Sequence, residues 1–123
     1  MEHYIMYRKA VFFDDHASAA AILGSATPTE AGALGRKVKG FDTKRWKEVV
    51  AEVAEEGCWL KFSQVKECRE ALLETGERVL VEASPVDRNW VSLGVVSFSF
   101  VFLSWRATGG GGGADAGLRE MLW

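Results

Sequence analysis

The sequence predicts an α+β fold: a mostly helical single domain with a small sheet. Three observations predict it. Trp46, Val49, Val50, Val53 and Leu60 recur at helical spacing. Thr27-Pro28-Thr29-Glu30 and Phe41-Asp42 carry helix-start chemistry. Strand character is confined to Arg78–Ala83 and to the alternation of Phe98, Phe100 and Phe102 with Ser99 and Val101. The chain has 123 residues, enough for one domain, and a 48% hydrophobic share is enough for a core.

The elements follow in order. Residues 2–13 read as a helix, with Tyr4, Ile5, Tyr7, Val11 and Phe12 on a wide apolar face. Asp14 or Asp15 can cap a second helix that runs to Leu23, with Gly24 as its stop. Thr27 is placed as the N-cap of a third helix, Pro28 as its first residue, and Glu30 completes a capping box. A fourth helix spans Thr43 to about Phe62, capped by Asp42, with Phe41 packing on Trp46 as a staple. Ser63 can cap a fifth, lined by Val65, Cys68, Leu72 and Leu73 and ended by Gly76. Arg78–Ala83 is then a short strand.

Composition excludes several classes. Fifteen basic and 17 acidic residues leave a net charge of -2, which gives no support to a generic nucleic-acid or membrane-surface binder. Cys58 and Cys68 belong to no CxxC or Cys/His cluster, and His3 and His16 fall on separate predicted helices, so no metal site is expected. There is no P-loop and no GxSxG elbow. The longest apolar run, Val95 to Leu103, is too short to span a bilayer as a helix. A reduced, cytoplasmic setting without membrane contact is the expectation.

The most chemically loaded stretch is Glu82-Ala83-Ser84-Pro85-Val86-Asp87-Arg88-Asn89-Trp90. Pro85 fixes its own backbone and pushes Ser84 to an extended conformation, so the run reads as a strand end and an ordered polar loop. Binding and catalytic groups concentrate on such loops. The stretch resembles the signature of the NADAR domain, the YbiA-like N-glycosidases. Glu2-His3-Tyr4, Met6 and Lys9-Ala10 resemble the family's first helix. Gly35-Arg36-Lys37-Val38-Lys39-Gly40-Phe41-Asp42 and Trp46 resemble its central segment. Lys61-Phe62-Ser63-Gln64 and Leu72-Leu73-Glu74-Thr75-Gly76 resemble the approach to the loop. The motifs run in order from Glu2 to Trp90, about three quarters of the chain.

The resemblance implies hydrolysis of an N-glycosidic bond in phosphoribosylated or ADP-ribosylated compounds, such as riboflavin-pathway intermediates or ADP-ribosyl-guanine. It implies no metal, redox or other cofactor. Glycoside cleavage passes through an oxocarbenium-like sugar, which a nearby carboxylate stabilises. The resemblance points to Glu2 as that carboxylate; an exposed first-turn Glu is also favourable at a helix N-terminus without any such role. Asp87 is the second catalytic candidate, as water-positioning base or sugar-hydroxyl ligand, or else a satisfier of turn backbone groups. Trp90 could stack on a base or ribose, or pack in a core. Glu82 could orient its neighbours or form a strand-end salt bridge. Lys9 and Arg36 could pair with a ligand phosphate, or lie on a solvated face. Arg36 follows Gly35, where a bend would turn it inward.

The domain expected from the resemblance is residues 1–90, and it is expected to be incomplete: the family's leading strand lacks a counterpart here, and its closing helix is missing or only faintly echoed by Leu118-Arg119-Glu120-Met121-Leu122. From Val91 to Trp105 there is no charged residue, and five glycines follow at 109–113. Trp-Val-Ser can be encoded TGG-GTG-AGT, and GTGAGT matches a common splice donor. Residues 91–123 are therefore expected to be translated intron and out-of-frame sequence, with a genuine divergent tail as the alternative. Weak or absent activity and poor solubility are the corresponding expectations. The expected partner is a small nucleotide or phosphoribosyl substrate, or ADP-ribosylated nucleic acid. The alternative is a non-catalytic ADP-ribose- or nucleotide-binding module, or an inactive isoform.

Overall fold

The computed structural model describes residues 1–76 and Arg78. Five helices occupy them: α1 (Glu2–Phe12), α2 (His16–Leu23), α3 (Pro28–Gly35), α4 (Thr43–Gln64) and α5 (Lys66–Glu74). The described part is thus mostly helical, and no strand occurs among the described residues. Arg78 itself lies in no regular element, and the remainder of the expected short strand, the Phe-rich strand and the loop at 82–90 lie outside the described residues. The chain divides into two compact units, with the boundary inside α4 after Val53.

The first unit contains α1, α2 and α3, which pack on one another in all three pairings. Ala10, Ala19, Ile22, Ala31 and Val38 form its buried centre, and Met6, Tyr7, Phe13 and Leu34 close around it. Small residues at 10, 19 and 31 let three short helices approach closely. His3 Nε2 donates to the Ser25 carbonyl at 3.2 Å, which ties the start of α1 to the end of α2.

Local chemistry sets the helix ends. α1 stops at Phe12, where Asp14 adopts a left-handed φ of 56°. The Asp15 amide reaches back to the Ala10 carbonyl at 2.9 Å and the Asp14 amide to Val11 at 3.0 Å, a Schellman closure. Asp15, one of the two expected caps, then caps α2 by accepting from the Ser18 amide at 3.1 Å. Its other oxygen accepts from the Ser18 hydroxyl at 2.6 Å and the Lys39 amide at 2.9 Å. One carboxylate therefore joins the α1–α2 corner to the segment that follows α3. Thr27 caps α3 through the Glu30 amide, and Glu30 reaches back to the Ala26 amide, one residue before the usual capping-box partner. Asp42 accepts from the Arg45 amide at 2.8 Å and starts α4.

Two sequence expectations need correction. Gly24 ends α2, but with an ordinary right-handed backbone (φ -82°, ψ -5°), so its conformational freedom is not what stops the helix. Ser63 does not cap α5: its hydroxyl donates to the Leu60 carbonyl at 3.2 Å within α4, which runs on to Gln64. Back-bonding to the preceding turn competes with capping and wins here.

Within the second unit, the described residues contribute the C-terminal half of α4 and α5. Ala54, Cys58 and Leu72 are buried there, and Cys68 is half-buried. No helix among the described residues is long and apolar enough to cross a membrane.

The three hydrogen bonds on Asp15, led by that from the Lys39 amide, lower its pKa from 3.8 to about 2. A depressed carboxylate contributes stability above its unfolded pKa and loses it as pH falls through the folded one. Asp15→Asn is therefore expected to lower Tm at neutral pH. The gap between variant and parent should close as pH is taken from above 4 toward 2, read by thermal melts across that range.

Candidate active site

Glu2, Met6 and Lys9 recur at spacings of four and three along α1, which sets them on one face. That face lies on α3, and two glycines receive it. At Gly32, a Cβ would stand 3.0 Å from Glu2 Oε1 and 3.7 Å from Arg36 Nη1. At Gly35, a Cβ would stand 2.7 Å from Met6 Cγ and 3.0 Å from Met6 Cβ. Both glycines are buried. Their missing side chains are filled by α1, so the glycines set how close the two helices lie.

Lys9 belongs to this seam. Its side chain is carried by a residue only 8% exposed. Nζ donates to the Gly35 carbonyl at 2.8 Å and stands 3.8 Å from the centre of the Phe41 ring. That carbonyl is at the last residue of α3, where helix carbonyls lack an intrahelical partner and the macrodipole is negative. Burial lowers the Lys9 pKa from its ordinary value, and the nearby Arg36 charge pushes the same way. Among the described residues, the groups that meet Lys9 Nζ are a carbonyl and a ring face, which hold its charge without neutralising it.

Arg36 is the C-cap residue of α3 and is exposed. The bend expected at Gly35 does not occur, because Gly35 is helical. Arg36 comes to the seam because it lies one turn beyond Gly32, where the i+4 side chain covers the same face. Glu2 is exposed at the first turn of α1, and its carboxylate lies against Gly32. The structure therefore brings Glu2, Lys9 and Arg36 to one seam: a carboxylate at one end and two cations along it. Asp87, Trp90 and Glu82 lie outside the described residues.

An aromatic group adjoins the seam. Phe41 meets Phe13 edge-on at 5.4 Å, and Trp46 stands 6.1 Å from Phe12 and 6.5 Å from Phe13. The expected Phe41–Trp46 staple is thus bridged by Phe13. Sequence reasoning missed Gly32 and Phe41 as parts of this site. The glycine spacing 32 to 35, opposite polar residues at 2 and 9, was the signal that could have found the first. Among the described residues, no group of His, Cys, Asp or Glu could hold a metal ion.

The seam makes distinct demands on its two glycines. Gly35→Ala forces the Met6 stem away and is expected to destabilise the protein by about 1–3 kcal/mol. Gly32→Ala meets only the ends of the flexible Glu2 and Arg36 side chains, so it should be as stable as the parent or more stable by up to about 1 kcal/mol from helix propensity. Urea unfolding of both variants checks the contrast.

The sequence of residues 1–96 matches the family model described as the NADAR domain. An N-glycosidase of Acanthamoeba polyphaga mimivirus is 37% identical over 89 residues, 72% of this chain and 52% of its own. An N-glycosidase of Nostoc punctiforme is 39% identical over 90 residues, 73% of this chain and 58% of its own. Protein irg-1 of Caenorhabditis elegans is 38% identical over 91 residues, 72% of this chain and 43% of its own. The chain spans about half the length of these curated relatives. With residues 1–96 of its 123 matched by one family model, the chain belongs to the NADAR domain family.

Proposed function

We propose that the domain hydrolyses the N-glycosidic bond of a phosphoribosylated or ADP-ribosylated compound. The observation that carries this reading is the seam itself, where a carboxylate and two cations share one face of α1 and α3. Two relatives named as N-glycosidases support it. In the reaction, the C1′–N bond breaks and its electron pair leaves with the nitrogen, which takes up a proton. Water oxygen bonds to C1′ and gives up a proton, so the products are the free base or amine and the sugar with an anomeric hydroxyl.

Glu2 is the carboxylate that stabilises the positive charge developing at C1′. Lys9 and Arg36 hold the phosphate, Lys9 as a point charge and Arg36 as a planar donor. Asp87 positions the water, Trp90 stacks on the base or ribose, and Glu82 orients its neighbours. No cofactor enters the scheme, since both proton transfers are within reach of side chains and water. Phosphorylated ribosides are retained inside cells by their charge, which makes the cytoplasm the compartment of this reading. A riboflavin-pathway intermediate and ADP-ribosyl-guanine, free or on nucleic acid, both fit the substrate class.

A second reading rests on the independence of the two halves of the seam. Lys9 is fixed by Gly35 and Phe41 without help from Glu2. A chain that binds a nucleotide phosphate without turning it over is the binding-module alternative. Residues 97–123 lie beyond the family match and stand outside both readings.

Glu2→Gln distinguishes the two. For an N-glycosidase, release of free base from a phosphoribosyl or ADP-ribosyl substrate should fall about 100-fold or more. Calorimetric affinity for ADP-ribose should stay within about twofold, since the change removes no phosphate contact. Binding without base release by the unsubstituted chain would sink the hydrolase reading and leave the module.

A further inference from the structure

Phe41 is 42% exposed, an unusual position for a large apolar ring held on both sides. The segment that carries it is pinned. Asp15 fixes the Lys39 amide, Gly40 turns the chain with a left-handed φ of 68°, and Asp42 caps α4 through the Arg45 amide. Phe13 holds the ring at an interplanar angle of 70°. All of this leaves one face of the ring over Lys9 Nζ.

We propose that Phe41 is a positioning residue: its ring face holds the Lys9 ammonium charged and aimed at the phosphate of the substrate. The proposal rests on the reading of the substrate as a phosphorylated N-glycoside. Burial and the Arg36 charge both disfavour the charged form of Lys9. A carboxylate partner would restore the charge but would also neutralise it toward a ligand. The negative face of an aromatic ring restores it without doing so. An ammonium has three donors. One is used on the Gly35 carbonyl, and the ring face takes no lone-pair bond, so donor capacity remains for a phosphate oxygen. The ring also limits the swing of a long, flexible side chain, which lowers the ordering cost of binding. Among the described residues, Arg36 at the end of α3 is the charge that acts on Lys9, and Glu2 lies two turns earlier on α1.

The test uses the full chain with Phe41→Leu, Phe41→Met and Phe41→Tyr, and Lys9→Met as the site control. Two quantities are read: the titration of Lys9 by carbon-13 NMR at Cε, and calorimetric affinity for inorganic pyrophosphate and ADP-ribose. Phe41→Leu should move the Lys9 titration to lower pH and weaken both ligands about two- to fivefold. Phe41→Tyr should restore both, since it keeps the ring, and Lys9→Met should weaken binding further. Phe41→Met, also apolar and without a ring, should reproduce the Leu variant and takes its place if that one fails to fold. An unchanged Lys9 titration in the apolar variants, or a Tyr variant that behaves as they do, overturns the proposal. If the unsubstituted chain binds neither ligand, the phosphate reading and the aim assigned to Lys9 both fail. The titration then still decides, separately, whether Phe41 holds the ammonium.

Discussion

Where α1 lies on α3, the absence of two side chains determines what can meet there. A Cβ at Gly35 would collide with the stem of Met6, and one at Gly32 would press on the Glu2 carboxylate. Helix interiors disfavour glycine by about 1 kcal/mol relative to alanine, so two glycines in an eight-residue helix carry a local penalty. Packing offsets it. Close approach lets Met6 join the shell around Ala10, Ile22 and Ala31, and it brings the Gly35 carbonyl within reach of Lys9. A wider helix spacing would leave that carbonyl to water and Lys9 on a solvated face.

Lys9 sits at the balance of opposing terms. Burial disfavours its charge, and Arg36 adds repulsion. Against this stand a charge-assisted bond to a helix carbonyl, about 1.5–3 kcal/mol, and an aromatic face, about 0.5–2 kcal/mol. The carbonyl end of α3 is also the negative end of its dipole. These terms act against the desolvation and the Arg36 repulsion. The result is a held cation whose protonation is sensitive to its surroundings, which a surface lysine would not be. Asp15 contributes at one remove: by anchoring Lys39 it fixes where the segment leading to Phe41 begins.

Helix starts were legible in the sequence because their chemistry is local. Thr27 and Asp42 each bind an amide three residues on, and such bonds need nothing from the rest of the chain. The extent of α4 was legible from its apolar spacing to within two residues. Ser63 misled because a serine hydroxyl can bond forward as a cap or backward to its own helix, and sequence does not choose. The seam was half legible. Glu2, Lys9 and Arg36 were picked out by the resemblance, but what unites them is tertiary. Gly32 reads in sequence as a weak point in a helix, and only the neighbour that fills its space gives it a purpose. Phe41 reads as a staple for Trp46 and instead meets Phe13 and Lys9. Cross-helix partners of this kind leave no periodic trace.

The two ends of the seam are held with different firmness, and that difference maps onto different catalytic work. Lys9 is fixed by a hydrogen bond and a ring face, whereas Glu2 is exposed and rests against a glycine. In the proposed reaction, the phosphate changes little between ground and transition states. Contacts to it from Lys9 and Arg36 therefore bind both states equally, and their loss raises KM. Charge at C1′ exists only as the bond breaks, so a carboxylate there acts on kcat. Such a group gains from tight placement, because electrostatic stabilisation depends on donors and charges already in position. The seam supplies that placement only in part: Gly32 sets how near the carboxylate can lie to Arg36, but not its direction. In the proposed reaction, then, the cations of α1 and α3 serve binding, and the Glu2 carboxylate serves the step in which the bond breaks.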